Sequence, residues 1–203
     1  VKNKISETHP KNPINPYGQS KLMVENMLQD LSLACDLNVI CLRYFNAAGA
    51  HESVEIGEDR NPETHLIPNI FKSLLSIGKT LKVFGDDYPT PDGTCVRDYV
   101  HVTDLAEAHI LGLEYTKKTK GFSAFNLGTG EGISVKEIIK SCENITNTKI
   151  PFKIEKRRQG DPAKLVSDCK HAKKVLNWNP KYSDIDTIIR SAWSWHESKK
   201  SKS

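Results

Sequence analysis

Residues 15 to 21 read Asn-Pro-Tyr-Gly-Gln-Ser-Lys, so a phenol stands four positions before an ammonium group. Asn15 can cap a helix with its side chain and Pro16 suits the first helical position, so the pattern predicts a helix that begins here. Residues four apart lie on one helix face, which makes Tyr17 and Lys21 predicted neighbours. A phenol is a poor base at neutral pH, but a cation within about 4 to 6 Å favours its phenolate.

Such a pair suits the oxidation of an alcohol by hydride transfer. Beside a positively charged oxidised nicotinamide ring, the phenolate of Tyr17 could take the proton from the alcohol. The spacing alone is weak evidence, because Tyr and Lys stand four apart by chance in many helices. An ordinary surface pair, which contributes about a few tenths of a kcal/mol, is the alternative that stays open here.

The composition is that of an ordinary globular protein of 203 residues, with 37% hydrophobic and 27% charged residues. This length allows one sizeable domain or two small ones. The formal charge of +4 is too small to indicate a nucleic-acid partner, although it would not oppose an anionic small molecule. No apolar run approaches the roughly 18 residues that span a bilayer, and residues 1–13 lack the apolar segment of a signal peptide. We therefore expect a cytoplasmic protein without a membrane partner.

The five cysteines indicate neither a disulfide framework nor a metal site. Their number is odd, and no two of them form a Cys-x-x-Cys pair. Free thiols in a reducing compartment are the simplest interpretation. His101 and His109 are predicted to be structural, because no carboxylate or cysteine near them has metal-ligand spacing. We expect no bound metal.

Hydrophobic periodicity and turn residues divide the chain into alternating helices and strands. The predicted helices cover residues 16–35, about 66–78, 103–115, 135–146, 169–176 and 184–198, and the predicted strands cover 39–45, 81–85, 96–102, 122–128, 150–155 and 165–168. Ser134 and Glu137 have the spacing of a capping box, which fixes one helix start. The strand at 39–45 is short and almost continuously apolar, as in a parallel sheet covered on both faces. The alternation predicts an α/β protein.

Six segments of the sequence, in the same order, resemble one enzyme family. They are NPYGQSKLMVE, LRYFNAAGA, NPETHLIP, FGDDYPTPDGTCVRDYVHVTDLAEAH, FNLGTGEGISV and RRQGDP. The chain resembles the carboxyl-terminal part of the UDP-glucose 4-epimerase family, which belongs to the extended short-chain dehydrogenase/reductase superfamily. The resemblance runs from about Pro13 to Trp195. The TPDGTCVRDYVHV segment is nearer to 4-epimerases than to the dehydratases and reductases of the superfamily.

The resemblance implies an α/β fold with the latter part of a Rossmann-type parallel sheet and a smaller mixed α/β substrate-binding domain. Residues 1–46 and about 93–130 would belong to the NAD-binding Rossmann domain. Residues about 47–92 and 131–198 would form the domain that binds the UDP-sugar. Residues 199–203, which are lysine and serine only, are expected to form a disordered tail.

The family's dinucleotide-binding motif, Gly-x-x-Gly-x-x-Gly, does not occur in these 203 residues. The segment GTGEG at 128–132 has a different spacing and resembles a distal part of the family. The Ser or Thr that partners the catalytic tyrosine would also lie upstream of residue 1. We therefore expect a fragment in which the N-terminal half of the Rossmann domain is absent, and we expect the isolated chain neither to hold NAD tightly nor to epimerise.

By the resemblance, Tyr17 takes the proton from the 4-hydroxyl of the sugar and Lys21 binds the nicotinamide ribose of NAD. Phe45 would lie against the nicotinamide, although it could equally be a core aromatic. The 4-keto sugar would turn over in the site and take its hydride back on the opposite face, so that NAD is regenerated. The resemblance thus implies NAD-dependent interconversion of UDP-glucose and UDP-galactose, a reaction of galactose metabolism.

The same resemblance assigns the residues that hold the UDP part of the substrate. Guanidinium groups meet phosphate oxygens in a two-point contact, and two arginines match the family's phosphate-binding positions. The matches are Arg97, Arg158 and Asn46 for the phosphates, His65, Leu66, Lys82, Val83 and Phe84 for the uridine, Asp161 for the uridine ribose, and Tyr99 for the substrate. Without the resemblance, Arg97 would be interpreted as an ion-pair partner, Asn46 as a turn residue and Phe84 as a buried strand residue.

Leu165 bears on the specificity for the sugar. Family members that reject N-acetylated sugars carry a bulky tyrosine at the position that aligns with Leu165. A smaller residue leaves room for an acetamido group, so acceptance and rejection of UDP-GlcNAc and UDP-GalNAc both stay open.

The assembly and the reaction also leave alternatives. The family forms homodimers through paired helices, one of which carries the Tyr-x-x-x-Lys motif, and Leu22, Met23, Met27 and Leu31 could either serve there or pack on the sheet. The reaction could instead be that of a nucleotide-sugar dehydratase, reductase or decarboxylase of the same superfamily. A third alternative is a non-catalytic remnant that binds a UDP-sugar or a protein partner.

Overall fold

The computed structural model of the protein describes residues 4–75 and 80–200. The helices are α1 Pro16–Cys35, α2 Leu66–Leu75, α3 Val102–Thr116, α4 Val135–Thr146, α5 Lys170–Val175 and α6 Ile185–Lys200. The strands are β1 Val39–Tyr44, β2 Asn46–Ala48, β3 Leu81–Phe84, β4 Val96–Arg97, β5 Tyr99–His101, β6 Phe122–Leu127, β7 Ile133–Ser134, β8 Phe152–Glu155 and β9 Lys164–Leu165. The predicted α/β character is confirmed.

Most of the strand pairs are parallel. Strand β1 pairs with β6 over its whole length, from Val39 opposite Phe122 to Tyr44 opposite Leu127. Strand β2 pairs with β5, and β3 pairs with β8, both in parallel. Strand β4 lies between β7, which is antiparallel to it, and β9, which is parallel. Helices α1 and α3 both pack against β1, so the parallel pair is covered by helices.

The helix ends follow local sequence signals. Asn15 caps α1 by accepting a hydrogen bond from the Gly18 amide at 2.8 Å, and α1 ends where Asp36 adopts a left-handed conformation. Ser134 and Glu137 form the predicted capping box of α4. The predicted end of α2 at 76–78 lies outside the described residues. Helix α6 continues through Lys200, so two residues of the expected tail are helical, and 201–203 also lie outside the described residues.

The prediction of one strand over 96–102 is wrong, because the chain forms two short strands in different sheets. Asp98 separates them. Its backbone oxygen accepts from the Asn46 amide, and its carboxylate is turned inward to hydrogen bond donors of Thr129, Gly130 and Ser167. This inward turn ends the pairing of β4 and lets β5 join β2. The strand predicted at 165–168 is also shorter, and Ser167 forms only an isolated bridge with Ile5.

Two hydrophobic clusters form the core. One lies between α2, α4, α6 and β3 and includes the fully buried side chains of Ile70, Phe71, Ile138, Ile188 and Ile189. The other lies between β6, α3 and α5 and includes Val100, Ala108, Phe125, Leu127 and Trp178. Each large buried side chain stabilises the fold by about 1.5–3 kcal/mol. In the described ranges, no helix combines the length and the apolar character that crossing a membrane requires.

Candidate functional site

A single open cleft of about 1650 Å³ is lined by every residue that the sequence analysis assigned to the cofactor or the substrate. These residues come from α1, the β1–β2 junction, α2, β3, β4, β5, the segment 156–163 and β9. They were assigned from motifs far apart in the chain, and the fold brings them to one surface. Their individual roles stay predictions.

Tyr17 and Lys21 lie side by side in the first turns of α1. The Lys21 ammonium is 5.1 Å from the centroid of the Tyr17 ring, within the range of a cation–π contact. Tyr17 is 73% exposed, and both side chains line the cleft. Among the described residues, Lys21 forms no ion pair with a carboxylate. The helix therefore presents a phenol and an unpaired ammonium group together.

Phe45 and Asn46 lie at the carboxyl end of β1, where the chain passes into β2. The Phe45 amide donates to the Leu127 carbonyl at 3.1 Å, and the Asn46 amide donates to the Asp98 carbonyl at 2.9 Å. These two hydrogen bonds fix the backbone, so both side chains line the cleft from a rigid strand end. The carboxyl ends of parallel strands are where α/β proteins bind ligands.

Two guanidinium groups also line the cleft, Arg97 on β4 and Arg158 in the segment 156–163. Arg97 is 9% exposed, donates to the Val96 carbonyl at 2.8 Å and forms an ion pair with Asp161. The guanidinium carbon of Arg158 lies 3.9 Å from the centroid of the Phe84 ring. One face of the Phe84 ring is thus covered by Arg158. Both arginines have internal partners that an anionic ligand would have to share.

For the other predicted residues of the cleft, the strands that carry them determine which side chains are buried and which residues are neighbours. Val83 is buried while Lys82 is exposed, as alternation along β3 requires. Leu165 stands opposite Arg97 in the β4–β9 pair, so the residue aligned with sugar specificity neighbours a predicted phosphate ligand. Tyr99 is almost fully buried, and burial raises the pKa of its phenol. Tyr99 is therefore a neutral hydrogen bonding group and not a second base.

His65 stands just before α2 and is held by Glu58, whose carboxylate is 2.7 Å from the His65 Nδ1. Ligand atoms of Glu58, Glu63 and His65 lie within 4.8 Å of one another. Both carboxylates already have cationic partners, because Glu58 pairs with Arg60 and Glu63 lies 3.4 Å from Lys72. Burial raises the pKa of Glu63, but the amides of His65 and Thr64 and the Lys72 ammonium outweigh it and lower the pKa overall.

The segment GTGEG binds a carboxylate of the protein itself. The amides of Thr129 and Gly130 donate to the Asp98 carboxylate at 2.8 and 3.0 Å. A Cβ at Gly128 would lie 2.5 Å from Ser167 Oγ and 2.6 Å from Asp98 Oδ2, so only glycine fits there. The glycine-rich turn is therefore an internal structural feature. His101 and His109 are structural as predicted, since His101 caps α3 and the His109 Nδ1 lies 2.7 Å from the Leu105 carbonyl.

Sequence reasoning missed an ionic cluster that also lines the cleft. Glu25, one turn after Lys21 on α1, accepts two hydrogen bonds from Arg43 of β1 at 2.6 and 2.8 Å and one from Lys11. Burial raises the pKa of Glu25, but Arg43 and Lys11 more than offset this effect and lower it. The signal in the sequence was the continued spacing of four residues through Tyr17, Lys21 and Glu25. Cys95 was also missed; it lines the cleft beside Arg97, and burial raises the pKa of its thiol.

Comparison with known proteins decides the family. A model of the NAD dependent epimerase/dehydratase family matches residues 2–128, more than half of the chain. The chain belongs to this family. It is 50% identical to the UDP-glucose 4-epimerase of Lactobacillus helveticus over 194 residues, which are 96% of this chain and 59% of that protein.

Two solved structures of family members are similar in sequence and fold. The UDP-glucose 4-epimerase of Brucella ovis in complex with NAD is 49% identical with a TM-score of 0.88, over 94% of this chain and 58% of that one. The enzyme of Bifidobacterium longum in complex with NAD⁺ and UDP is 40% identical with a TM-score of 0.92, over 97% of this chain and 59% of that one. The chain thus spans less than two thirds of the length of these relatives.

Proposed function

We propose that this chain is the substrate-binding and proton-transferring part of an NAD-dependent UDP-hexose 4-epimerase. The observation that carries the proposal is the Tyr17–Lys21 pair in one cleft with Arg97 and Arg158. The similarity to UDP-glucose 4-epimerases of other organisms at up to 50% identity supports the choice of reaction. A base for an alcohol and two cations for a pyrophosphate are the groups that this chemistry needs.

The residues fit the nicotinamide end of NAD. A phenol and an ammonium group lie together at the cleft, with the aromatic ring of Phe45 lining the same space. We propose that Lys21 binds the nicotinamide ribose and that Phe45 lies against the nicotinamide ring. When bound, NAD supplies a reversible acceptor for the hydride at carbon 4 of the sugar.

The proton chemistry belongs to Tyr17. Its phenolate, beside the Lys21 ammonium, takes the proton of the sugar 4-hydroxyl, and the resulting phenol returns it after the keto sugar has turned over. Because protons and hydride are both returned, no external reductant is consumed. The sugar must rotate in the site, so the affinity must come from the UDP.

We assign the UDP to a second set of residues in the same cleft. Arg97, Arg158 and Asn46 would hold the phosphates, while His65, Leu66 and residues 82–84 would line the uridine. Asp161, now paired with Arg97, would accept from the uridine ribose, and Tyr99 would contact the substrate. Glu58 fixes the orientation of the His65 ring, which supports a defined contact there.

The finer fold assignment is part of the same proposal. The β1–β6 pair with α1 and α3 would belong to a Rossmann domain that comprises residues 1–46 and about 93–130. The cluster between α2, α4, α6 and β3 would be the core of the UDP-sugar domain, about 47–92 and 131–198. The first cluster supports this division, whereas α5 and Trp178, which lie within 131–198, pack in the second cluster with β6 and α3. The exposed side chains of Met23, Met27 and Leu31 on α1 support a homodimer contact through this helix.

The test uses the protein as its gene encodes it, supplied with NAD and UDP-galactose. We expect Tyr17→Phe to lower kcat by about 10²–10⁴-fold, because the proton acceptor is removed. The dissociation constant of UDP should change little, because Tyr17 is not among the residues that we assign to the UDP. Tyr182→Phe, which alters an exposed tyrosine away from the cleft, is the matched control.

The outcomes separate the alternatives. Full activity of Tyr17→Phe would contradict the proposed mechanism. Tight UDP binding without turnover in the wild type would favour a non-catalytic binding protein, and a dehydrated, reduced or decarboxylated product would favour the other reactions of the superfamily.

The sugar specificity is tested at Leu165. We propose that the space beside Leu165 admits an acetamido group, so the wild type should also convert UDP-GalNAc. Leu165→Tyr should abolish turnover of UDP-GalNAc while turnover of UDP-galactose persists. Equal loss of both activities would contradict this assignment.

A further inference from the structure

Helix α1, which carries Tyr17 and Lys21, is weakly anchored by apolar contacts. In the described ranges, Ser32 is its only buried residue. Met23, Met27, Leu31 and Leu33 are all exposed. Among the described residues, polar contacts between α1 and the sheet therefore contribute to fixing the position of its side chains.

The strongest of these contacts is the clamp between Glu25 of α1 and Arg43 of β1. The Arg43 Nε donates to Glu25 Oε2 at 2.8 Å, and Nη2 donates to Oε1 at 2.6 Å. The third nitrogen, Nη1, donates to the Glu7 carbonyl at 3.1 Å. The Glu25 side chain is only 12% exposed, so this two-point ion pair is largely shielded from solvent. Both carboxylate oxygens of Glu25 are occupied.

Glu25 stands where it could pair with Lys21, so it matters that other cations already bind its carboxylate. Glu25 follows Lys21 by four residues, the spacing at which Lys and Glu form ion pairs on a helix surface. Lys21 nevertheless lies over the Tyr17 ring, and among the described residues it pairs with no carboxylate. A carboxylate within reach of Lys21 is thus held by other cations.

We propose that Arg43 is a positioning residue that keeps Glu25 from pairing with Lys21 and so reserves the Lys21 ammonium for Tyr17. The inference rests on the proposed role of Tyr17 as the base. Lys11 assists from the segment before α1, where its ammonium also contacts Glu25. The Cys41 thiol of β1 interacts electrostatically with Glu25, and His9 lines the same cleft. Lys11 is more exposed than Arg43 and makes a single contact, so Arg43 dominates the clamp.

The first test compares pH profiles of kcat/KM in the protein as its gene encodes it. In Arg43→Met, the released Glu25 should pair with Lys21, and the acidic limb of the profile should move upward by about half to one pH unit. At pH values below this limb, kcat/KM of the variant should be about three- to tenfold lower than that of the wild type, the ratio that a shift of half to one pH unit produces. Adding Glu25→Gln to Arg43→Met should return the limb toward its wild-type position, because a neutral amide does not compete for Lys21. Arg190→Met, at an exposed position of α6, is the control for removal of an arginine.

A purely structural role of Arg43 predicts a different result. In that case the double variant would be as impaired as Arg43→Met or worse, and the pH profile would keep its shape, which would overturn the proposal. A crystal structure of Arg43→Met provides a test that does not depend on enzyme activity. We expect the Lys21 Nζ within hydrogen bonding distance of the Glu25 carboxylate, and Lys21 still over the Tyr17 ring would overturn the inference. If the wild type shows no turnover, the proposed function fails, while the crystal structure still decides the role of Arg43.

Discussion

The carboxylate of Asp98 joins three segments that lie far apart in the sequence, and its replacement offers the sharpest test of the fold. Oδ1 accepts from the amide and the hydroxyl of Thr129, both at 2.8 Å. Oδ2 accepts from the amides of Gly130 and Ser167, both at 3.0 Å, and from the Ser167 hydroxyl at 2.6 Å. Asp98 is completely buried. All five donors therefore depend on this carboxylate.

Asp98→Asn keeps the shape of the side chain but removes half of its accepting capacity. The single amide oxygen can face either the Thr129 donors or the donors of Gly130 and Ser167, and the NH₂ group then faces the other set. At least two donors lose their acceptor. A buried donor left without a partner costs about 1–3 kcal/mol, so we expect a loss of about 2–6 kcal/mol in the free energy of unfolding. This is a large part of the roughly 5–15 kcal/mol that stabilises a typical domain.

The assay is equilibrium unfolding in urea, followed by circular dichroism and by tryptophan fluorescence, to which the buried Trp178 contributes. The matched control is Ser167→Ala, which removes one hydroxyl donor but leaves the carboxylate intact. It should cost about 1.5–3 kcal/mol, the usual value for one hydrogen bond to a charged group. If Asp98→Asn were no more destabilising than Ser167→Ala, the carboxylate would not be the centre that we describe.

Three further variants test local features. The buried Tyr88 hydroxyl has no hydrogen bond partner among the described residues, so Tyr88→Phe should raise the free energy of unfolding by about 1 kcal/mol in urea titrations, and a loss would reveal a partner. Val54 has a φ of 60°, which costs a β-branched residue about 1–2 kcal/mol, so Val54→Asn should raise the melting temperature, and a decrease would refute backbone strain there. Burial lowers the pKa of His101, whose neutral ring caps α3, so stability should be full above about pH 6.5 and fall as the pH drops through this value. His101→Asn, which keeps a capping acceptor, should flatten that dependence in melting curves recorded from pH 8 to 5, and an unchanged slope would assign it to another group.

Features that depend on neighbouring residues could be predicted from the sequence. The Asn15 cap, the capping box of Ser134 and Glu137, and the contact of Tyr17 with Lys21 all appear in the structure as the spacing indicated. Each depends on residues within four positions of one another, where helix geometry fixes the distance. The alternation of helices and strands likewise follows from local periodicity.

The partners of the charged groups could not be predicted, because they depend on residues distant in the sequence. Arg97 and Asp161 are 64 positions apart, and nothing in either local pattern indicates that they pair. The division of the strand at 96–102 has the same origin, since the donors that turn Asp98 inward come from residues 31 to 69 positions later. Local periodicity describes which residues favour a strand, but it does not contain the contacts that interrupt one.

The sequence by itself determined the chemical groups at the cleft and the helix that presents Tyr17 beside Lys21, because both depend on residue types and on short spacing. The tertiary structure determined which charged side chains form ion pairs with one another. Arg43 and Glu25 are 18 positions apart and meet only when α1 packs on β1, and this packing leaves Lys21 without a competing carboxylate among the described residues. The energy of a charge depends on its surroundings in space, and these exist only once the chain has folded.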